Sequence, residues 1–210
     1  PLLLDPDLCY RKLRAVTIDG RGAGGRGTGD LSQMGNPMTR HAASDLIWAE
    51  VDLSAIEGNI AALKEAAGDA RFMAVVKANA YGHGMLPVAK RALAAGAEWL
   101  GVARIDEAVA LRDGGIQAPV LIFGHTPPQL AGELIQGGLR PTVFDPETAR
   151  RLSAAADRHG TRLKVHLKVD TGMGRLGILP DARRPGAAPD APPVRAAEEI
   201  AAIGRLPGLD

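Results

Sequence analysis

From Ile47 onward, short apolar runs alternate with amphipathic stretches. Ile47 to Leu53 alternates apolar and polar positions as a strand does, and Ser54 is a suitable N-cap for a helix reaching about Ala67. Apolar runs follow at Phe72–Val76, Trp99–Ala103, Val120–Phe123, Thr142–Phe144 and Leu163–Val169. Between them the pattern predicts helices stopped at Gly96, Gly114-Gly115, Gly137-Gly138 and Gly160. Thr126-Pro127 and Asp145-Pro146 read as helix openings, because proline in the first turn forgoes no hydrogen bond. Pro180 to Pro193 reads as a loop and Val194 to Ile203 as a further helix.

Strands separated by capped helices make successive βαβ units, and hence an α/β fold with a parallel sheet. Periodicity leaves open whether that sheet is an open doubly wound one or a closed barrel. An eight-stranded barrel takes roughly 250 residues, whereas this chain has 210 and reaches Leu206-Pro207-Gly208 where a sixth strand is expected. On the barrel reading about five βα units are present and the barrel is incomplete.

The first part of the chain differs. Residues 1–43 contain GRGAGGRGTGD from Gly20 to Asp30 and show no amphipathic period. They read as a flexible or non-native extension, with Met38 a plausible start, and residues 44–210 as the barrel portion. Gly20, Gly22 and Gly25 formally match a dinucleotide-binding fingerprint, but more glycine and then Pro37 follow where a helix must begin.

Composition narrows the function classes. Lys and Arg number 25 against 24 Asp and Glu, a net charge of +1, which offers no electrostatic footprint for nucleic acid or a membrane surface. No apolar run approaches a membrane span. Cys9 is the one cysteine, so there is no internal disulfide and no metal-ligand spacing. The expectation is a cytoplasmic protein that binds no metal. Aromatics make up only 3%, so the core must be aliphatic and rich in alanine.

Working residues of parallel α/β folds lie at the carboxyl ends of strands. Two such ends carry chemistry. Lys77 closes the run Met73-Ala74-Val75-Val76, where partial desolvation suits an amine to Schiff-base formation. The small residues after it let a flat cofactor approach the backbone. On the fifth strand Lys164, His166, Lys168 and Asp170 share one face, which in a barrel points inward. The following loop, Thr171 to Gly177, offers Arg175, suited to holding a carboxylate through two hydrogen bonds. His83 and His125 read as loop or core histidines.

Together these segments resemble the alanine racemase family. Val75-Val76-Lys77-Ala78-Asn79-Ala80-Tyr81-Gly82-His83-Gly84 is similar to its cofactor-lysine motif, and Asp170-Thr171-Gly172-Met173-Gly174-Arg175-Leu176-Gly177 to its arginine loop. Trp48-Ala49-Glu50-Val51-Asp52-Leu53 resembles the usual start of family members, while the loop from Pro180 to Pro193 looks longer than usual.

The resemblance implies a pyridoxal 5'-phosphate-binding (β/α)8 TIM-type barrel, preceded by a strand that joins a C-terminal β-domain, in a homodimer that interconverts L- and D-alanine for the bacterial cell wall. It implies that Lys77 binds the cofactor and acts as one catalytic base. Tyr81 is implied to bond the cofactor phosphate, and Arg175 to lie near the substrate carboxylate. Lys168 matches a supporting lysine that is carbamylated in some members and orients that arginine. The second base is implied to be a tyrosine of the partner's C-terminal domain. This sequence has two tyrosines, Tyr10 and Tyr81, neither placed for that role. The 210-residue chain alone is therefore expected to racemise alanine poorly.

Three other readings compete. They are a racemase of broader or different specificity, a non-catalytic pyridoxal-phosphate-binding barrel, and a nucleic-acid-binding module using the Gly/Arg stretch.

Overall fold

The computed structural model describes residues 50–180 and 196–210. Contacts divide the chain into residues 1–55 and 56–210. The predicted extension over residues 1–43, the Gly/Arg stretch and most of the loop from Pro180 to Pro193 lie outside the described residues.

Of the strand predicted over Ile47–Leu53, residues 47–49 also lie outside the described residues. Glu50 to Asp52 take no regular structure, and Leu53 opens helix α1 (Leu53–Ala67). The cap is Asp52 rather than Ser54. Its Oδ1 accepts the N–H groups of Ser54 at 2.9 Å and Ala55 at 3.0 Å, which are donors the first helical turn cannot satisfy itself.

Strands β1 (Met73–Val75), β2 (Trp99–Val102), β3 (Val120–Ile122), β4 (Arg140–Val143) and β5 (His166–Leu167) form one sheet, in chain order and parallel throughout. Helices α2 (Met85–Ala94), α3 (Ile105–Asp113), α4 (Ala131–Gln136) and α5 (Pro146–Arg158) make the crossovers, and α6 (Ala196–Gly204) follows β5. A doubly wound sheet must reverse its strand order to place helices on both faces. Here the order never reverses, and crossovers of one hand put every helix on the same face. The other face can be shielded only by the sheet curling toward itself, so this is part of a (β/α) barrel. Beyond β5, Gly208 to Asp210 pair with Leu163 to Val165 through parallel hydrogen bonds, Leu163 N–H to Gly208 O at 2.8 Å among them. The next strand position predicted after Leu206-Pro207 is thus occupied.

The core lies between sheet and helices. Val76, Leu100, Val102, Val120, Ile122 and Val143 are buried on the sheet, against Ala89, Ala92, Ala108, Leu111, Leu134, Ala149, Leu152 and Ala156 of the helices. It is aliphatic and alanine-rich, as the scarcity of aromatics requires. Asp145 caps α5, accepting Thr148 N–H at 2.8 Å, with Pro146 in the first turn as predicted. The Thr126-Pro127 opening differs. A 3-10 turn (Pro128–Leu130) precedes α4, no side chain caps it, and Thr126 Oγ1 is buried without a partner among the described residues.

The opposite face holds Met73, Trp99, Gly101, Phe123, Arg140, Thr142 and His166. A side chain at Gly101 would stand 2.4 Å from the Phe123 ring and 3.1 Å from Met73 Sδ, so only glycine leaves room for them. The Arg140 guanidinium lies 4.3 Å from the centroid of Trp99, and the His166 ring meets Trp99 edge-on at 5.6 Å. This bears out the inward turn of His166. Burial and the neighbouring Arg140 charge hold its imidazole below its ordinary pKa.

Candidate functional site at the strand ends

Lys77 leaves β1 at its carboxyl end, just after the Val76 N–H donates to Gly101 O at 2.8 Å. The backbone then does something local pattern does not reveal. Ala78, Asn79 and Ala80 have φ of 52°, 55° and 53° with ψ of 44–49°, and Tyr81 has φ of 54°. Lys77–Tyr81 is therefore a turn of left-handed helix, where the sequence predicts a loop.

Left-handed conformation costs an L-residue roughly 1–2 kcal/mol, so four in succession need external support. Local bonds supply part of it: Ala80 N–H to Val76 O at 2.9 Å and Met85 N–H to Asn79 Oδ1 at 2.7 Å. A His83 ring nitrogen lies 2.9 Å from Ala80 O, a structural role that agrees with reading His83 as a loop histidine. Gly82, with φ of 90°, ends the turn.

The remaining support comes from α3. Glu107 accepts Ala78 N–H at 2.6 Å on Oε1, and on Oε2 it accepts Ala103 N–H at 2.7 Å and Arg104 N–H at 3.1 Å. Sequence reasoning missed Glu107. The available signal was an acidic residue in the first turn after a strand end, which can reach back to free N–H groups.

The turn places the Lys77 Nζ 5.8 Å from the centroid of the Tyr81 ring. Tyr81 is 61% exposed. The Lys77 amine has no hydrogen-bonded or ion-paired partner among the described residues, so nothing there competes for it.

At the other edge of the sheet, β5 passes Lys168 to the loop Thr171–Gly177. The loop is closed at its neck: Asp170 N–H donates to Ile178 O at 3.0 Å, and Ile178 N–H to Lys168 O at 2.8 Å. Asp170 Oδ1 accepts Gly172 N–H at 3.0 Å and Gly174 N–H at 3.1 Å. These two bonds hold its carboxyl below the ordinary carboxylate range. Gly177, with φ of 141°, runs so close that a side chain would meet Asp170 N at 2.3 Å.

Arg175 is exposed, with Nη2 2.7 Å from Met173 Sδ, a weak acceptor that leaves the guanidinium largely uncommitted. The structure therefore joins Lys77 with Tyr81, and carries Lys168 and Arg175 on one strand end and its loop. No hydrogen bond or ion pair among the described residues links the two groups.

Among the described residues, no group of three or more His, Cys, Asp or Glu side chains could hold a metal ion. No described helix is long and apolar enough to cross a membrane. A cavity of about 480 Å³ lies apart from this chemistry, lined by Gln129, Gly132, Arg151, Arg158 and His159 among others.

Comparison with known proteins agrees on one family. The model of the alanine racemase N-terminal domain matches residues 51–191. The alanine racemase of Symbiobacterium thermophilum is 53% identical over 133 residues, covering 63% of this chain and 35% of that protein. Among solved structures, the alanine racemase of Clostridium difficile 630 superposes with a TM-score of 0.65 at 33% identity, covering 75% of this chain and 38% of the other. A histidine racemase from Leuconostoc mesenteroides reaches the same TM-score at 29% identity, covering 75% and 39%. The chain thus spans well under half the length of these relatives. That family match runs over well more than half of the chain, and relatives and solved structures point the same way: the chain belongs to the alanine racemase N-terminal domain family.

Proposed function

We propose that this chain is the cofactor-binding part of an alanine racemase that interconverts L- and D-alanine, with Lys77 as the residue that binds pyridoxal 5'-phosphate. The observation that carries this reading is the Lys77 amine, uncommitted at a strand end and held on a left-handed turn beside Tyr81. The donor set suits the cofactor. A primary amine can bond its aldehyde, the exposed Tyr81 hydroxyl can donate to its phosphate, and small residues at positions 78–80 leave the approach open.

Pyridoxal phosphate, when bound, supplies an electron sink that acidifies the α-proton of an amino acid. Lys77 Nζ takes or returns that proton on one face. Arg175 holds the substrate carboxylate, and Lys168, on the strand leading into its loop, helps to orient it. In an eight-stranded barrel the first and fifth strands stand across the mouth from one another, so Lys77 and Arg175 are placed to meet a ligand between them.

Inversion needs a proton donor on the opposite face, which in this reading comes from a partner subunit of a homodimer. In this reading the cofactor-binding domain is assigned to residues 44–210. A cytoplasmic setting fits this use of a free cofactor. The histidine racemase among the structural relatives makes a racemase of different specificity the second reading.

The test is to incubate the chain with pyridoxal phosphate, reduce with borohydride and map the pyridoxylated peptide. Selective labelling of Lys77, lost in Lys77→Ala, is the expected result. Labelling spread evenly over Lys64, Lys90, Lys164 and Lys168 would sink the assignment. Activity is read separately, as D-alanine formed from L-alanine by the protein that carries this domain.

A further inference from the structure

The geometry points to Glu107 as a positioning residue for Lys77, acting by holding the left-handed turn from which the lysine reaches out; this rests on Lys77 being the cofactor-binding lysine. The Ala78 nitrogen is bonded to the Lys77 carbonyl carbon, so its direction sets the last backbone torsion of Lys77. That N–H finds its partner in the adjacent βα unit, at Glu107 Oε1, 2.6 Å away. The second oxygen of the same carboxylate accepts Ala103 N–H and Arg104 N–H where β2 gives way to α3. One side chain therefore ties the end of β1 to the end of β2.

The chemistry of this knot requires a carboxylate. All three partners are N–H donors, and only an acceptor at both oxygens satisfies both sides. A glutamine presents an NH2 group to one side and leaves those donors facing another donor. An aspartate keeps the charge but is one methylene shorter and cannot span both strand ends. Without the anchor, Ala78 to Tyr81 lose a charge-assisted bond that offsets their unfavourable φ. The turn then relaxes toward ordinary φ, and Lys77 is aimed elsewhere. The two lysines Lys64 and Lys90 lie on helices outside this knot and keep their surroundings.

The test compares the wild-type chain with Glu107→Gln and Glu107→Asp. Pyridoxal phosphate is the probe, followed by borohydride reduction and peptide mapping, with amide hydrogen exchange measured on residues 78–84 without cofactor. Both variants should show about tenfold faster exchange over that segment and about tenfold weaker labelling of Lys77, while Lys64 and Lys90 label as before. Glu107→Asp, which retains the charge in the first turn of α3, carries the test if Glu107→Gln fails to fold. Unchanged exchange and unchanged Lys77 labelling in a folded variant overturn the role of Glu107. A wild-type chain that does not label Lys77 selectively, but whose exchange still responds to the variants, instead overturns the proposed function and supports Glu107 as the anchor of the turn.

Discussion

Gly177 and Asp170 are packed backbone against backbone: a Cβ at Gly177 would stand 2.3 Å from the Asp170 nitrogen. That nitrogen donates to Ile178 O and so forms the neck of the loop carrying Arg175. Gly177→Ala must break this neck or strain it, and its φ of 141° adds to the penalty. We expect a loss of about 2 kcal/mol and rapid proteolysis within residues 171–178, with the sheet intact. A variant loop as resistant as the wild type would contradict this account.

The Arg175 guanidinium adds little to the fold, since among the described residues its one side-chain hydrogen bond is to Met173 Sδ. Arg175→Lys should therefore leave thermal stability unchanged. In the protein that carries this domain it should raise the KM for alanine about tenfold, because an ammonium cannot make the paired bonds of a guanidinium. Cofactor binding should persist. Unaltered KM values would remove Arg175 from the substrate site.

Arg112 does the opposite work. It donates to Gly137 O at 2.7 Å, Ile116 O at 2.8 Å and Ala118 O at 3.0 Å, joining the ends of α3 and α4 and the loop before β3. Arg112→Met leaves three carbonyls short of a donor and should cost about 3 kcal/mol. Lysine should rescue little, since it lacks the fork that reaches all three. Chemical denaturation of the three proteins reads this directly. A methionine variant as stable as the wild type would show that water replaces the guanidinium without cost.

His166 predicts a pH effect. Its folded pKa lies below the ordinary 6.5 because burial and Arg140 disfavour the charged ring. Between that lowered value and 6.5 the unfolded chain binds more protons than the folded one, so folding weakens as pH falls through this window. Above 6.5 both states are neutral and the effect vanishes. In urea unfolding at pH 7.5 and 5.5, His166→Gln should lose less stability on acidification than the wild type. Equal losses would mean that His166 titrates as it does in water.

Local patterning was enough to place the five strands of the sheet and the capped helix at Asp145, though not the strand predicted over Ile47–Leu53, whose described part is irregular chain and a helix start. The features it placed depend on neighbours within a few residues: alternating burial, a proline in a first turn. Boundaries slipped where a side chain chose between adjacent donors, as when Asp52 rather than Ser54 capped α1. The two-residue core of β5 also differs from the longer strand predicted from Leu163 to Val169. Its two ends pair with other partners, Leu209 on one side and Ile178 on the other.

What tertiary structure alone decided was set by groups far apart in the chain. The choice of a curling sheet over a doubly wound one rests on strand order, which periodicity does not encode. Nothing about Ala78, Asn79 and Ala80 taken singly calls for left-handed backbone. Beyond its local bonds, that backbone is tied by Glu107, 29 residues onward in sequence from Ala78 and brought near by the intervening βα unit. The apolar run before it marked Lys77 as a strand-end lysine; the backbone that follows it is tied by a hydrogen bond from the next unit, which no local pattern encodes.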